Sequence, residues 1–263
     1  MAKSKVGCKP VNVEKLTKTD ISQMYSLFEK YYECISYEMF QKDLKKKDKV
    51  LIMRELRTRL IVGFTTVKMM TFNIEKNGKT KQVKGLFSGD TIVAKEYWGQ
   101  KLLHGTFANM LIKEKLKRPF TDFYWCLISK GYKTYLLLTN NFVDYYPRHD
   151  QQTPGHVQSV IDSYAMELYP EAYCHKSGLL RFEESLGQLK ATVAPIDTKL
   201  IETHPNVAFF QNKNPEWQKG HELVCLGVIN WALFGYYFRR SLKFTLGRRK
   251  EELKTLQPQT EVS

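Results

Sequence analysis

Leu86–Met110, LFSGDTIVAKEYWGQKLLHGTFANM, decides the fold. Thr91-Ile92-Val93-Ala94 is β-rich, Glu96-Tyr97-Trp98-Gly99-Gln100 makes a glycine-bearing turn, and Lys101 onward has helical character. The first N–H groups of a helix have no internal partner, and the helix dipole adds partial positive charge there. A strand, turn and helix in this order can therefore bind phosphate on the turn and helix start. The same three elements also occur as a plain connection, and a single glycine is weak punctuation.

Working outward, Val11–Thr17 is expected as a first strand, and Asp20 as the cap of a helix whose apolar residues include Ile21, Met24, Phe28 and Tyr32. A second helix is expected over Tyr37–Lys47, then strands over Val50–Leu56 and Leu60–Ile74. Asn77-Gly78 is a hairpin signal that returns the chain as Lys81–Ala94. After the turn come a helix to about Arg118, a buried strand Phe123–Ser129 and a helix Tyr132–Asn141 that Gly131 opens. The order is β-α-α-β-β-β-turn-α-β-α.

On these residues the chain resembles the GCN5-related N-acetyltransferase (GNAT) superfamily. Its acyl-CoA motif commonly reads Glu-Tyr-Arg-Gly-Gln-Gly-x-Gly, and Glu96, Tyr97, Gly99 and Gln100 match it. Trp98, Lys101 and Leu103 depart from it. Side chains at 101 and 103 are expected to crowd a loop whose N–H groups must approach phosphate. The resemblance implies an α/β fold: a GNAT-like mixed β-sheet, splayed between its fourth and fifth strands and flanked by helices. Pantetheine would lie in the splay and phosphate on the turn. Val93, Trp98, Gly99, Gln100, Lys101 and Leu102 would hold the donor, with a backbone N–H near Val93 on the thioester carbonyl. The implied base is Asp90 or His104, with Glu96 a weaker candidate. The implied acid is Tyr132 or Tyr135, three apart on one helical face. Lys101 and Lys133 could meet donor phosphate as point charges.

The second half is expected to hold a helix Gly155–Tyr169, started by Thr153-Pro154, and a strand Glu222–Val228. Residues 171–206 are polar and give no clear pattern. Asn214–Cys225 resembles a segment of GNAT-like acyltransferases from bacterial biosynthetic gene clusters. The organisation read from this is a donor-binding core (1–142), an insertion on the acceptor or acyl side (143–206) and a closing segment (207–263), together an extended C-terminal half. Trp231–Arg249 reads as a basic amphipathic helix able to lie on an anionic membrane or to pack on its own domain. The last nine residues look disordered. Phe209, Phe210, Trp231, Phe234, Tyr236 and Tyr237 are candidates for an acyl tunnel, which points to a fatty acyl donor, though such residues also build cores.

The chain has 263 residues, 41 Lys+Arg against 27 Asp+Glu, and a net charge of +14. That charge suits an acidic partner. An acyl carrier protein would fit, so the donor thioester is coenzyme A or carrier-bound phosphopantetheine. Nucleic acid is a poor fit, because the basic residues form no single stripe and no zinc pattern appears. Cys8, Cys34, Cys126, Cys174 and Cys225 are scattered with no CxxC spacing, so no metal is expected and the compartment reads as cytoplasmic, with a peripheral membrane contact open. Cys126 lies in an apolar run and reads as a small core residue. MAKSKVGCKP has no apolar stretch after it, so no leader is expected, and Leu223–Phe238 is short and interrupted for a membrane span. The expected activity is N-acyl transfer from a thioester to an amine. The alternative is a non-catalytic acyl-binding or membrane-surface module on the same fold.

Overall fold

A computed structural model describes residues 5–33, 36–182, 188–189, 196–237 and 239. The strands are β1 (Val6–Asn12), β2 (Tyr32–Glu33), β3 (Lys49–Glu55), β4 (Ile61–Lys76), β5 (Lys79–Val93), β6 (Phe123–Ser129), β7 (Tyr145–Tyr146), β8 (Tyr173–Cys174), β9 (Leu179–Leu180), β10 (Gln188–Leu189) and β11 (Glu222–Val228). The helices are α1 (Lys18–Phe28), α2 (Tyr37–Leu44), α3 (Leu102–Lys117), α4 (Tyr132–Thr139), α5 (Gly155–Leu168), α6 (Thr198–Thr203) and α7 (Pro205–Lys213). A further helix runs over residues 231–237; the rest of the expected amphipathic helix and the expected disordered tail lie outside the described residues.

One mixed sheet in the order β1-β3-β4-β5-β6-β11-β9-β8 forms the middle layer, with β7 also on β11. All its pairings are antiparallel except β5 with β6. Side chains alternate across it, as a strand's period of two requires. Leu51, Met53, Leu86, Trp125, Leu127 and Cys225 join α3, α4 and α7 in one core. On the other face Val50, Ile52, Phe64 and Ile92 pack under α1 and α2, while Phe87, Cys126, Val224 and Leu226 pack under α5. The result is a mixed α/β fold of helices on both faces of a large sheet.

Local chemistry explains the elements. The Thr17 hydroxyl accepts from the Asp20 N–H while Asp20 accepts from the Thr17 N–H, a capping box that starts α1. Thr17 is thus the cap, and Asp20 its reciprocal partner. Asn77 and Gly78, both at positive φ, join the β4–β5 hairpin as a two-residue turn. The first strand lies earlier than the expected Val11–Thr17. Gly7 and Pro10 disguise it in the sequence, but β1 is an edge strand, where a missing N–H is tolerated. The patternless region contributes the β8–β9 hairpin, which extends the sheet beyond β11, and the short α6. Asp197 caps α6 by accepting from the Leu200 N–H. The Tyr164 hydroxyl reaches the backbone carbonyls of both Leu127 and Cys225, tying α5 to adjacent central strands.

At Gly227 on β11 an added Cβ would lie 2.7 Å from the Phe142 ring and 3.0 Å from Leu138, both buried in the same core. Gly227→Ala is therefore expected to lower unfolding free energy by about 1–3 kcal/mol, as overpacking of a filled core does. Denaturant titration of the variant beside the parent chain measures it, and an unchanged midpoint would contradict this packing.

Candidate active site

The site begins with a strand pairing that stops. Strand β5 runs parallel to β6 only from Lys84 opposite Phe123 to Ser88 opposite Leu127. Beyond Ser88, β5 continues to Val93 on β4, whereas β6 continues to Ser129 on β11. The two strands part where β5 carries an extra residue. Thr65 faces Thr91 and Val67 faces Ser88, so Thr66 alone opposes both Gly89 and Asp90. Such a bulge bends its strand and re-aims a side chain. Gly89 is needed there, because a Cβ would come within 2.5 Å of the Thr66 hydroxyl oxygen.

A cavity of about 500 Å³ fills the gap. It reaches both faces of the sheet, since its walls combine His104, Lys133 and Leu137 from α3 and α4 with Phe40, Asp43 and Tyr169 from the opposite face. Asp90 lies between them on the bulge, half-buried.

Asp43, Lys47, Asp90, Lys130 and Glu222 meet here, with Lys133 and His104 on the α3–α4 side of the same cavity. Lys47 Nζ lies 2.9 Å from the Asp43 carboxylate, and Lys130 Nζ 3.2 Å from that of Glu222. Asp90 makes no hydrogen bond or close ion pair among the described residues. Burial pushes its carboxyl up, Asp43 and Glu222 push it further, and Lys130 and Lys47 pull it back, leaving it at about 6. Burial also raises the Glu222 carboxyl, while Lys130 is raised because Glu222, Tyr32 and Asp90 outweigh its own burial. Burial pushes the Tyr32 phenol up to about 12, so it stays a neutral donor at physiological pH.

Of the sequence candidates, Asp90 and His104 both line this cavity, with Val93, Trp98, Gly99, Gln100 and Lys133. His104 is exposed at the start of α3, and partial desolvation lowers its imidazole. Ala94 N–H bonds to the Val62 carbonyl, so strand alternation turns the Val93 N–H and C=O toward the gap. Trp98, which stands where the motif has arginine, donates its indole N–H to that Val93 carbonyl at 2.7 Å. Lys133 lies over the indole ring, 5.6 Å from its centre. Gly99 adopts φ +82, as the turn requires, and the Tyr97 hydroxyl tethers the turn to the Glu55 carboxylate. The first α3 backbone bond runs from Gly105 N–H to the Lys101 carbonyl, and no side chain caps the helix. The Leu102, Leu103 and His104 N–H groups are therefore available at its start.

The structure separates the remaining candidates from the cavity. Tyr135 is fully buried, donates its hydroxyl to the Pro147 carbonyl and packs on Phe209 and Phe210. Tyr132, the first residue of α4, packs half-buried against the core, outside the cavity wall. Lys101 is exposed and Leu102 half-buried at the start of α3, neither on the wall, and Glu96 is exposed on the turn. The expected crowding by residues 101 and 103 does not occur, because Leu103 turns into the core and Lys101 leaves the wall clear. The expected tunnel is not formed by its candidates either. Phe210 is core, Phe209 and Phe234 pack against that core, and Trp231, Tyr236 and Tyr237 are exposed, so none lines the cavity. Cys126 is fully buried away from it, its thiol raised by burial. Among the described residues there is no group of ligands fit for a metal ion, and no helix long and apolar enough to cross a membrane.

Sequence reading missed Asp43, Lys47, Tyr32, Lys130 and Glu222. Their signals were faint: an Asp–Lys pair four apart at the end of α2, and charges at the ends of the otherwise apolar β6 and β11.

No protein-family model matches the chain, and no curated protein matches it. Solved structures resemble it at low identity. A probable N-acyltransferase from Enterococcus faecalis V583 is 15% identical over 52% of this chain, with a TM-score of 0.38, and the match spans 32% of that protein. Arabidopsis thaliana NAA60 in complex with acetyl-CoA is 12% identical over 54% of this chain and 89% of its own, with a TM-score of 0.39. A structure of the NatC complex bound to Gag peptide and CoA is 12% identical over 86% of this chain and 99% of the other, with a TM-score of 0.38.

Asp90 also leaves a mark on stability. Its folded-state pKa of about 6 lies above the ordinary carboxylate value of 3.8. The folded chain therefore binds that proton more tightly than the unfolded chain, and ionised Asp90 weakens the fold above pH 6. Asp90→Asn is expected to melt above the parent chain at pH 7.5, the advantage fading between pH 6 and pH 4. Thermal melts across that range test this, and a pH-independent difference would place Asp90 in an ordinary solvated setting.

Proposed function

We propose that the chain is an N-acyltransferase of the GNAT type, moving an acyl group from a phosphopantetheine thioester to an amine. The observation that carries the reading is the through-sheet cavity with an unpaired carboxylate at its centre. Two substrates entering from opposite faces meet there. The donor arm lies on the α3–α4 side, where the Gly99 turn and the open start of α3 offer N–H groups to its phosphate. The amine comes from the α1–α2 side.

The chemistry follows from the groups present. An alkyl ammonium resembles the lysine side chain, with a pKa near 10.4, and must lose a proton before it attacks. Asp90 receives it, directly or through a water, as general base. The nitrogen adds to the thioester carbonyl carbon, and the Val93 N–H, turned into the gap, stabilises the developing oxyanion. Collapse breaks the C–S bond. A thiol with a pKa near 8.5 leaves readily, so no dedicated acid is required beside it. The withdrawal of Tyr135 into the core is consistent with that.

Coenzyme A and a carrier-bound arm both present a phosphate to the turn, and the +14 charge suits either. A cytoplasmic setting, where such thioesters are made, belongs to the same reading. A fatty acyl chain would have to lie against the cavity's own apolar wall at Leu127, Ile128 and Leu137.

Thiol release from acyl-CoA in the presence of amines tests the proposal. The parent chain is expected to turn over with an acidic limb near pH 6 in kcat/KM, and Asp90→Asn to lose about 10²–10⁴-fold of it along with that limb. Unaltered kinetics in the variant would remove Asp90 from the mechanism.

A further inference from the structure

On the α1–α2 face the cavity is walled by rings. Phe28, Tyr32 and Phe40 stand on one side, Phe87 on the sheet, and Tyr169 and Phe182 on the other. They brace one another: Phe28 stacks on Tyr32 at 4.4 Å and tilts on Phe40 at 5.5 Å, and Tyr169 meets Phe182 edge-on at 5.7 Å. Lys47 Nζ already lies 5.3 Å from the centre of the Phe87 ring and Lys130 Nζ 5.5 Å from that of Tyr32, so Tyr169 and Phe182 offer the apolar surface on which no described cation sits, with Tyr32 and Phe87 beside it.

The charges on this face have a definite balance. Lys47 is committed to Asp43 and Lys130 to Glu222. Of the three carboxylates on the described wall only Asp90 lacks a close lysine, and Lys133 stands apart on the α3–α4 side over Trp98, so a chain of net charge +14 carries on this face a local site for one positive charge. A second ammonium on the ligand would find no second carboxylate on the described cavity wall without a lysine partner. A free carboxylate on the ligand would compete with Glu222 for Lys130. Backbone amides of a peptide would lie against rings that cannot satisfy them, which is costly in a desolvated site.

We propose that the acceptor is a small arylalkylamine: one primary ammonium directed at Asp90, carried on an aromatic ring that lies among Tyr32, Phe87, Tyr169 and Phe182. This deepens the acyl-transfer reading and rests on it for turnover, though not for binding. The reaction balances without a further reagent. The ammonium gives one proton to Asp90, the nitrogen forms the C–N bond as the C–S bond breaks, the second nitrogen proton goes to the thiolate, and the products are an amide and a free thiol.

The test separates binding from turnover. Phenethylamine, n-butylamine, spermidine and a short peptide with a free N-terminus are titrated calorimetrically into the full chain, then compared as acceptors in thiol release from acetyl-CoA and octanoyl-CoA. Phenethylamine is expected to bind at least tenfold tighter than spermidine or the peptide, and to be the best acceptor by kcat/KM. Phe182→Ala, at the half-buried end of the ring wall, is expected to weaken phenethylamine at least fivefold and n-butylamine less than twofold. Asp90→Asn is expected to weaken both amines at least tenfold. Preference for the peptide or spermidine, or equal losses for both amines in Phe182→Ala, would overturn the assignment. Selective phenethylamine binding without thiol release from either thioester would uphold this acceptor site while refuting acyl transfer, and no binding of any amine would refute the acceptor site itself.

Discussion

The parting of β5 from β6 is the constraint on which the rest depends. Two parallel strands that pair for five residues and then separate leave backbone groups without a strand partner in the middle of a sheet, a cost that a fold tolerates only when something else imposes it. Here each strand is held by its other neighbour, β5 by the long β4 hairpin and β6 by β11, and the bulge at Gly89-Asp90 starts the divergence. The gap is therefore built into the strand register. Gly89 is essential to it, since the Thr66 side chain occupies the place a Cβ would take.

The same bulge sets the electrostatics. It lifts Asp90 out of the simple alternation and into a cavity where two lysines are already spent on two other carboxylates. An acid so placed destabilises the fold when ionised. In exchange it has a proton affinity suited to base chemistry near neutrality. Buried ion pairs contribute little net stability. The pairs Lys47–Asp43 and Lys130–Glu222 matter more for the charge they engage, because they leave Asp90 without a close lysine of its own.

Much of this was legible in the residues, and the limits have physical causes. Phe123–Ser129 and Glu222–Val228 are apolar runs with sharp ends, and Asn77-Gly78 dictates its hairpin, so these elements sit where periodicity and turn chemistry place them. Strand β1 was displaced because Pro10 and Gly7 are breakers except at a sheet edge, and edge position is a tertiary property. Asp90 stood out as an acid beside apolar residues, but its bulge could not be read, since a bulge is defined by the partner strand. Glu222 and Lys130 are 92 positions apart in the chain and meet only because β11 lies against β6. Tyr132 and Tyr135 show the converse: helical spacing put them on one face, and α7 then buried part of that face under Phe209 and Phe210.

The tryptophan at position 98 shows how a departure from a motif can still serve the motif's geometry. Glycine at 99 and the tether from Tyr97 to Glu55 hold the turn in shape whatever residue stands between them. An arginine there would project charge. The indole instead folds back on the Val93 carbonyl, one of the polar groups the parted strands leave without a strand partner. Any chain that paired with that edge of β5 would meet the indole first and exchange one N–H···O bond for another. Such an exchange is close to neutral in free energy. Trp98 therefore protects the exposed edge at little cost to whatever pairs with it, and Lys133 over the ring keeps positive charge beside the turn. The residue that most weakens the sequence resemblance thus meets, by a neutral hydrogen bond, a need created by the splayed sheet itself.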